Sequence, residues 1–170
     1  MLLIETGLRR GEALALRWRE VADDYSSIEV TGSIELANGQ ANRKEPKTSA
    51  GRRRVSLPVM AANMLRRRKL AAGRVDLDTP VFPGPRDGWM CPNLVSMSAA
   101  RRLQSMGLDP SIHALRHAHA TALLSAGISP QAVASRLGHS AVTTTLSIYG
   151  HVLPGDDSRA VAVLNRASAA

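Results

Sequence analysis

Glycines divide the second half of the chain into segments whose lengths suit short helices. Gly107, Gly127 and Gly138 each follow a run of residues that is compatible with a helix. A glycine just after the last turn is a common helix ending, because glycine adopts the left-handed backbone conformation without strain. These glycine positions predict that the second half is helical, with helices over 93–106, 112–126, 130–137, 141–148 and 156–168.

The chain opens on what reads as the end of a helix. Residues 1–8 form an apolar run that stops at Gly7, and no capping residue precedes the run. We therefore expect residues upstream of this run to be missing from the chain. Gly11 to Arg19 is predicted to be a second helix, because Glu12 suits the positive end of a helix.

Residues 27–57 carry the alternation that is typical of strands. Ser27-Ile-Glu-Val-Thr alternates between polar and apolar residues, and Arg54-Val-Ser-Leu does the same. Asn38-Gly39 is a signal for a tight hairpin turn. The stretch from Arg43 to Arg52 is predicted to be a polar, basic turn between strands.

The segment that follows joins this sheet to the helices. Pro58 to about Ala72 is predicted to be a helix, and the Pro- and Gly-rich residues 73–92 a loop with a short strand at Val81-Phe82. Together these patterns predict one α+β domain over residues 1–170. It is mainly α, with a small antiparallel β-sheet near the N-terminus.

Charge and composition point to a polyanionic partner. The net charge is +8, and 19 of the 22 basic residues are arginine, whose planar fork binds phosphate through two hydrogen bonds. A GC-rich genome would explain the arginine excess but not the net charge. The run from Arg66 to Lys69 suits either a DNA backbone or an ordinary exposed helix face. Aromatic residues make up only 3% of the chain, which argues against a protein that stacks bases on rings.

Cysteine and hydropathy exclude other classes of protein. Cys91 is the single cysteine, so the chain has no disulfide framework and no cysteine-based metal site. No apolar run approaches the ~20 residues of a membrane span. We expect a cytoplasmic protein that does not associate with membranes.

The residues from 113 to 149 carry the strongest chemical signal. His113 and Arg116 are three apart and share a helix face, so both can reach one phosphate. His139 and then Tyr149 follow, which suggests a nucleophile beside a phosphate pocket, although a surface pair and a packing tyrosine would look the same. His113 and His117 have zinc-like spacing, but Ala114 stands where a metalloprotease motif needs glutamate, and we predict no metal.

Four motifs in order extend this signal to nearly the whole chain. They are Thr6-Gly-Leu-Arg9-Arg-Gly-Glu12, then Pro46-Lys47-Thr48 with Arg52-Arg-Arg-Val-Ser-Leu-Pro58, then His113-Ala-Leu-Arg116-His117, and finally Leu137-Gly-His139 with Tyr149-Gly-His151. In these motifs the chain closely resembles the tyrosine recombinase or phage integrase family.

The resemblance assigns a role to each matching position. Six residues match catalytic positions of the family, and Tyr149 among them matches the nucleophile: Arg9, Lys47, His113, Arg116, His139 and Tyr149. Glu12 matches the acidic neighbour that supports the first arginine. Basic residues beside these motifs are expected to contact DNA: Arg10, Arg43, Lys44 and Arg52. Packing is the better interpretation for the three remaining histidines, His117, His119 and His151.

The resemblance also implies a reaction and its partners. Tyr149 would attack a phosphate of double-stranded DNA, form a 3′-phosphotyrosyl link and release a 5′-hydroxyl, and a second 5′-hydroxyl would then rejoin the DNA. The bond energy is kept in the intermediate, so neither ATP, a metal nor another cofactor is expected. The family implies a homotetramer on paired DNA sites and a monomer in solution. A helix over 156–168 would pack on a neighbouring subunit or on its own.

Three other interpretations stay open. Residues 117–150 superficially resemble a helix-turn-helix, which would make the chain a DNA-binding module without catalysis and leave Arg9, Lys47 and Tyr149 unexplained. The resemblance implies that the first helices of the catalytic domain and an N-terminal DNA-binding domain are absent from this chain. A truncated, inactive integrase remnant of this kind would keep the motifs but bind DNA weakly. A topoisomerase of type IB would use the same pocket to nick and religate DNA without pairing two sites.

Overall fold

A computed structural model describes residues 1–46, 51–85, 88–150 and 161. Short helices open the chain: α1 (Leu2–Thr6), α2 (Arg10–Leu14) and a 3-10 helix (Trp18–Glu20). Strands β1 (Ser27–Val30), β2 (Ser33–Ala37), β3 (Gln40–Lys44) and β4 (Arg53–Ser56) come next. The remainder is helical: α3 (Val59–Ala72), α4 (Pro92–Ser105), α5 (Ile112–Ser125), α6 (Pro130–Leu137) and α7 (Val142–Tyr149). The predicted α+β, mainly α class is confirmed.

The strands pair as two antiparallel ladders. β1 pairs with β4, with Ile28 opposite Val55, and β2 pairs with β3 through a two-residue hairpin turn. Asn38 and Gly39 have φ values of 52° and 75°, which the tight turn requires and which this residue pair adopts readily. The hairpin prediction is confirmed, but Arg43 and Lys44, expected in a turn, are the last residues of β3.

The structure differs from the sequence-based expectation in two places, the helix predicted over residues 11–19 and the strand predicted at 81–82. The helix predicted over Gly11–Arg19 ends at Leu14, because the backbone N–H groups of Trp18 and Arg19 donate to Thr79 and Leu77 instead of to the preceding turn. The N–H of Val81 donates to Leu16 in the same pairing. No strand forms at 81–82, since the prolines on either side lack the N–H that would extend the ladder.

The predicted helix endings in the second half agree with the structure. Gly107, Gly127 and Gly138 all have positive φ, between 70° and 82°, at the ends of α4, α5 and α6. The helices begin and end within about a residue of the predicted bounds, apart from the segment 156–168. That segment lies outside the described residues except for Val161.

The buried apolar residues form separate clusters. One cluster joins the first helices, β1, β4 and α3, and has Leu8, Ile28 and Leu65 at its centre. Another joins α5, α6 and α7 through five buried residues, which are Ala120, Leu124, Val133, Leu137 and Tyr149. In the described part of the chain, no helix is both long and apolar enough to cross a membrane.

Candidate active site

The turn between α6 and α7 brings the two ends of the sequence together. The carbonyl of Leu137 accepts a hydrogen bond from Arg116 Nη2 at 2.8 Å, and the carbonyl of Gly138 accepts one from Arg9 Nη2 at 3.4 Å. Gly138 is left-handed, with φ 70° and ψ 42°, and a Cβ there would lie 2.6 Å from Arg53 Nη1. Glycine is therefore needed both for the turn and for the close approach of arginine.

Arg116 is a buried cation held by backbone carbonyls. It is 4% exposed, and its Nη1 donates to Gly7 at 2.6 Å while its Nη2 donates to Leu137. Burial, followed by the charge of nearby Arg9, lowers its pKa to about 10. The guanidinium stays protonated at neutral pH, but its charge is poorly compensated, which favours binding of an anion.

Glu12 holds two arginines at this turn. Its carboxylate accepts two hydrogen bonds from Arg53, at 3.1 and 2.9 Å, and one from Arg9 Nη1 at 2.9 Å. It also accepts the backbone N–H of Arg9 at 2.7 Å, which caps the start of α2. Burial alone raises the pKa of Glu12, but the contacts with Arg53 and then Arg9 outweigh it and hold the pKa below its usual value. Glu12 thus orients the guanidinium of Arg9. The Arg9 side chain is 45% exposed.

His139 is held neutral beside these arginines. Its Nδ1 lies 2.8 Å from the Oγ1 of buried Thr145. Burial, followed by the charges of Arg116 and Arg9, lowers its pKa from 6.5 to about 4. When the Thr145 hydroxyl donates to Nδ1, the other ring nitrogen carries the proton and can donate it to a bound oxygen.

We expect His139 to titrate near pH 4 in an NMR titration of its ring protons, well below a free histidine. Because the folded-state pKa is depressed, the neutral ring favours folding above about pH 6.5, and this contribution is lost as the pH falls toward 4. Arg9→Gln removes one of the repelling charges and should move the midpoint upward. A midpoint near 6.5 in the unmodified chain would contradict this electrostatic account.

Tyr149, the last residue of α7, has a buried ring and a specific partner for its hydroxyl. The residue is 4% exposed, and its ring packs in the cluster of α5, α6 and α7. Its Oη lies 2.6 Å from Nδ1 of His117 on α5. Burial raises the pKa of the phenol, and the charge of Arg116 offsets only part of this rise. The hydroxyl therefore stays protonated until a base removes its proton.

His113 lies at the mouth of the site. It is exposed, and its ring meets the ring of His117 edge to face, with centroids 4.7 Å apart. Burial of part of the ring, followed by the charges of His117, Arg116 and Arg9, lowers its pKa. His113 and Arg116 line the same cleft, so they share one face of α5, as their spacing predicts.

Two clefts meet at Arg9. One cleft runs between α2, α4 and the start of α5, and its lining includes Arg10, His113 and Arg116. The other runs from β3 to the turn after α6, and its lining includes Lys44 and His139. Arg9 lines both clefts, so the surface is continuous past the arginines.

The remaining residues expected to contact DNA have different surroundings. Lys44 and Arg52 are more than half exposed and pair with Glu35 and Glu45 at the surface. Arg10 donates to Ser96 at the wall of the first cleft. Lys47 lies outside the described residues.

Arg43 was expected to contact DNA at the surface, but its side chain is directed inward and joins parts of the fold. Only 15% of its side chain is exposed, and its guanidinium donates to Glu20 and Thr31, each at 2.7 Å, and to the carbonyl of Ala15 at 3.1 Å. These partners tie β3 to the segment after α2. Because its donors are directed inward, a DNA contact from Arg43 would cost these bonds.

Sequence reasoning missed Arg53 and underrated His117. Arg53 stands two residues before buried Val55, and side chains two apart on a strand point to the same face. That alternation was the available signal for a buried arginine that needs a carboxylate. His117 is four residues after His113, and this spacing on a helix places the two rings side by side.

Comparison with known proteins identifies the group to which this arrangement belongs. The model of the phage integrase family matches residues 1–155, which include the arginines, the histidines and Tyr149. The chain belongs to the phage integrase family. The predicted resemblance is therefore confirmed.

Individual relatives agree with this assignment. The chain is 31% identical to a "tyrosine recombinase XerC-like" protein of Caldanaerobacter subterraneus subsp. tengcongensis, over 97% of this chain and 48% of that protein. It is 32% identical to the ICEBs1 integrase of Bacillus subtilis, over 88% of this chain and 43% of that integrase. The chain thus spans about half the length of the curated relatives it matches.

Solved structures share the fold. The Tn1549 transposon integrase, in complex with circular intermediate DNA, superimposes with a TM-score of 0.77 at 25% identity, over 94% of this chain and 56% of that one. The XerA recombinase superimposes with a TM-score of 0.69 over 97% of this chain and 54% of that one, and at 24% identity it supports the fold alone.

Proposed function

We propose that this chain is the catalytic part of a site-specific recombinase that cuts and rejoins double-stranded DNA through a 3′-phosphotyrosyl intermediate. One observation carries the proposal: Arg9 and Arg116, from opposite ends of the sequence, both donate to the 137–138 turn beside His139. Arg9 and Arg53 share the carboxylate of Glu12, while Arg116 donates to the backbone carbonyls of Gly7 and Leu137, so the positive charge of the cluster exceeds its negative charge. A phosphodiester supplies the negative charge that this cluster lacks.

In the cleavage step, the Tyr149 oxygen attacks phosphorus and the bond to the 5′-oxygen breaks. Negative charge builds on the two non-bridging oxygens of the phosphate. Arg9 and Arg116 stabilise this charge, and such electrostatic stabilisation is expected to lower the barrier more than any other single effect. Neutral His139 contributes a hydrogen bond from its ring, and His113 lies at the cleft where the phosphate would enter.

The leaving 5′-oxygen needs a proton, which we assign to Lys47. A lysine on a flexible stem is suited to general acid catalysis. A 5′-hydroxyl of the partner strand then attacks the phosphotyrosyl link and returns the tyrosine to its free form. The exchange conserves the number of phosphoester bonds, so it requires no ATP. Because the arginines stabilise the charge that a metal would otherwise stabilise, we propose that no metal or other cofactor takes part.

The relatives support this reaction class and the nature of the substrate. They carry the names tyrosine recombinase and integrase, and the Tn1549 integrase was solved with DNA of its circular intermediate. We further propose that the protein is a monomer in solution and assembles as a homotetramer on two paired DNA sites. A recombinase of chromosomal or phage DNA would work in the cytoplasm of a bacterial cell.

The exposed lysine beside the second cleft gives a prediction for DNA binding. Lys44→Gln is expected to weaken binding about equally for all sequences and to lower the slope of log K against log salt by about one. The measurement is a titration by fluorescence anisotropy at several salt concentrations. Arg19→Gln is the control, because Arg19 is half exposed but outside the lining of both clefts. An equal change of slope in both variants would argue against a defined DNA track.

The test of the proposed function is covalent capture of DNA. The chain is incubated with nicked suicide duplexes from a random-sequence pool, and protein–DNA complexes that survive denaturant are recovered and sequenced. The proposal predicts recovery of a defined sequence. Noncovalent binding without any captured duplex would favour a DNA-binding module or an inactive remnant. Relaxation of supercoiled DNA without exchange between two sites would favour a topoisomerase.

A further inference from the structure

The Tyr149 hydroxyl has a partner, His117, to which the family resemblance assigns no catalytic role. His117 Nδ1 lies 2.6 Å from Tyr149 Oη, and the two rings are tilted by 56° with centroids 5.5 Å apart. A separation of 2.6 Å is at the short end for a hydrogen bond that involves oxygen and nitrogen. His117 follows Arg116 directly in the middle of α5, and Tyr149 is the last residue of α7, so the contact joins these two helices.

A buried phenol needs help to become a nucleophile. An unperturbed tyrosine has a pKa of ~10, so about one molecule in a thousand is ionised at neutral pH, at a cost of about 4 kcal/mol. Burial makes ionisation of Tyr149 harder still, since the residue is only 4% exposed. A base in contact with the hydroxyl lowers this cost by taking the proton during attack.

In the described part of the chain, the other candidate bases of the site make no hydrogen bond to the Tyr149 hydroxyl. The Nδ1 of His139 lies on Thr145, and the carboxylate of Glu12 is held by Arg53 and Arg9. His113 is exposed at the cleft and touches the ring of His117. Within residues 1–46, 51–85 and 88–150, His117 is the basic side chain in hydrogen-bond contact with the reacting oxygen.

We propose that His117 is the general base that accepts the Tyr149 proton during strand cleavage and returns it during rejoining. The inference rests on the proposed function. In cleavage the Oη–H bond breaks as Nδ1–H forms, the oxygen lone pair bonds to phosphorus, and the bond from phosphorus to the 5′-oxygen breaks. In rejoining the incoming 5′-hydroxyl gives its proton to the Lys47 amine left by the cleavage step, and its oxygen bonds to phosphorus. The bond from phosphorus to Tyr149 Oη breaks at the same time, and the tyrosine oxygen recovers its proton from the imidazolium.

The test compares two variants of His117 on a captured suicide duplex. His117→Ala removes both the base and the hydrogen bond, and cleavage is expected to slow about a hundred-fold. In His117→Asn the side-chain amide lies near the former Nδ1 and keeps a hydrogen-bonding group there, but it cannot take a proton. We expect the Asn variant to be as slow as the Ala variant. Thermal melting of both variants checks that the fold is kept.

A more acidic phenol separates a base from a positioning group. The chain has two tyrosines, so a Tyr25→Phe background allows ring-fluorinated tyrosine to be placed at position 149 alone. Fluorination lowers the phenol pKa and makes a base less necessary, so the loss caused by His117→Ala should shrink at least about ten-fold. A group that only positions the ring would give the same loss with either phenol.

Three outcomes would overturn the proposal. Cleavage restored in His117→Asn would mean that His117 only positions the hydroxyl through a hydrogen bond. Cleavage accelerated in His117→Ala would mean that the hydrogen bond to His117 inhibits attack. A loss that is unchanged with fluorotyrosine would exclude proton transfer to His117. If no duplex is captured at all, the proposed function falls and the base role falls with it. The contact itself would still be tested by the change in the ¹⁵N shift of His117 Nδ1 in Tyr149→Phe.

Discussion

Tyr149→Phe is expected to abolish covalent protein–DNA product, with a loss in strand cleavage of at least about a thousand-fold. The substitution removes the attacking oxygen and leaves no other atom of the ring able to bond to phosphorus. The phenyl ring keeps its place among Ala120, Leu124, Val133 and Leu137, so the fold should lose only the hydrogen bond to His117, about 1 kcal/mol. The measurement is a denaturing gel of the nicked suicide duplex, with noncovalent binding followed in parallel.

Tyr25→Phe is the matched control for this experiment. Tyr25 is the other tyrosine of the chain, and its ring lies under the Arg66 guanidinium at 5.2 Å, away from the site. The control should cleave like the unmodified chain. Cleavage that persists in Tyr149→Phe and disappears in Tyr25→Phe would reverse the assignment of the nucleophile.

Arg53→Ala should destabilise the fold far more than substitution of an exposed arginine. Arg53 and Glu12 each have 7% of the side chain exposed, and they form two parallel hydrogen bonds. Removing Arg53 takes two hydrogen bonds from the buried Glu12 carboxylate and leaves it with the partly exposed Arg9, which costs about 3 kcal/mol. The Nε donor to the carbonyl of Arg136, at 2.7 Å, is lost as well. For a chain of this size we expect the melting temperature to fall by about 6–12 °C.

Arg54→Ala on the same strand is the control. The Arg54 side chain is 70% exposed and pairs with Glu29 on the outer face, so its loss should cost at most about 1 kcal/mol. Calorimetric melting of both variants measures the difference. Equal and small losses would mean that the Arg53–Glu12 pair does not hold β4 to the α6 end of the site.

Local signals in the sequence predicted much of the fold. The hairpin at Asn38-Gly39 and the helix endings at the three glycines depend on backbone conformations that few other residues adopt, so short-range reasoning was sufficient there. The helix expected over Gly11–Arg19 failed for the opposite reason. Its second half pairs with residues 77–81, and such a long-range backbone pairing leaves no local signature.

The candidate site was likewise predictable only in part. Motifs predicted the charged residues of the site and distinguished Tyr149 from the other tyrosine. The structure brings Arg9, Arg116 and His139 to one turn. The networks behind them were harder to predict because they depend on which of several similar residues faces inward. In the run Arg52-Arg-Arg, only Arg53 shares a face with Val55, and Arg43 turned inward to Glu20 although a basic surface loop was expected.

Mapping the covalent adduct tests most directly whether the arginine-lined turn positions DNA phosphate for attack by Tyr149. The captured complex would be digested with nuclease and protease, and the modified peptide identified by mass spectrometry. We predict a single peptide, with a nucleotide joined through its 3′-phosphate to Tyr149. An adduct on any other residue, or a link through a 5′-phosphate, would contradict this mechanism.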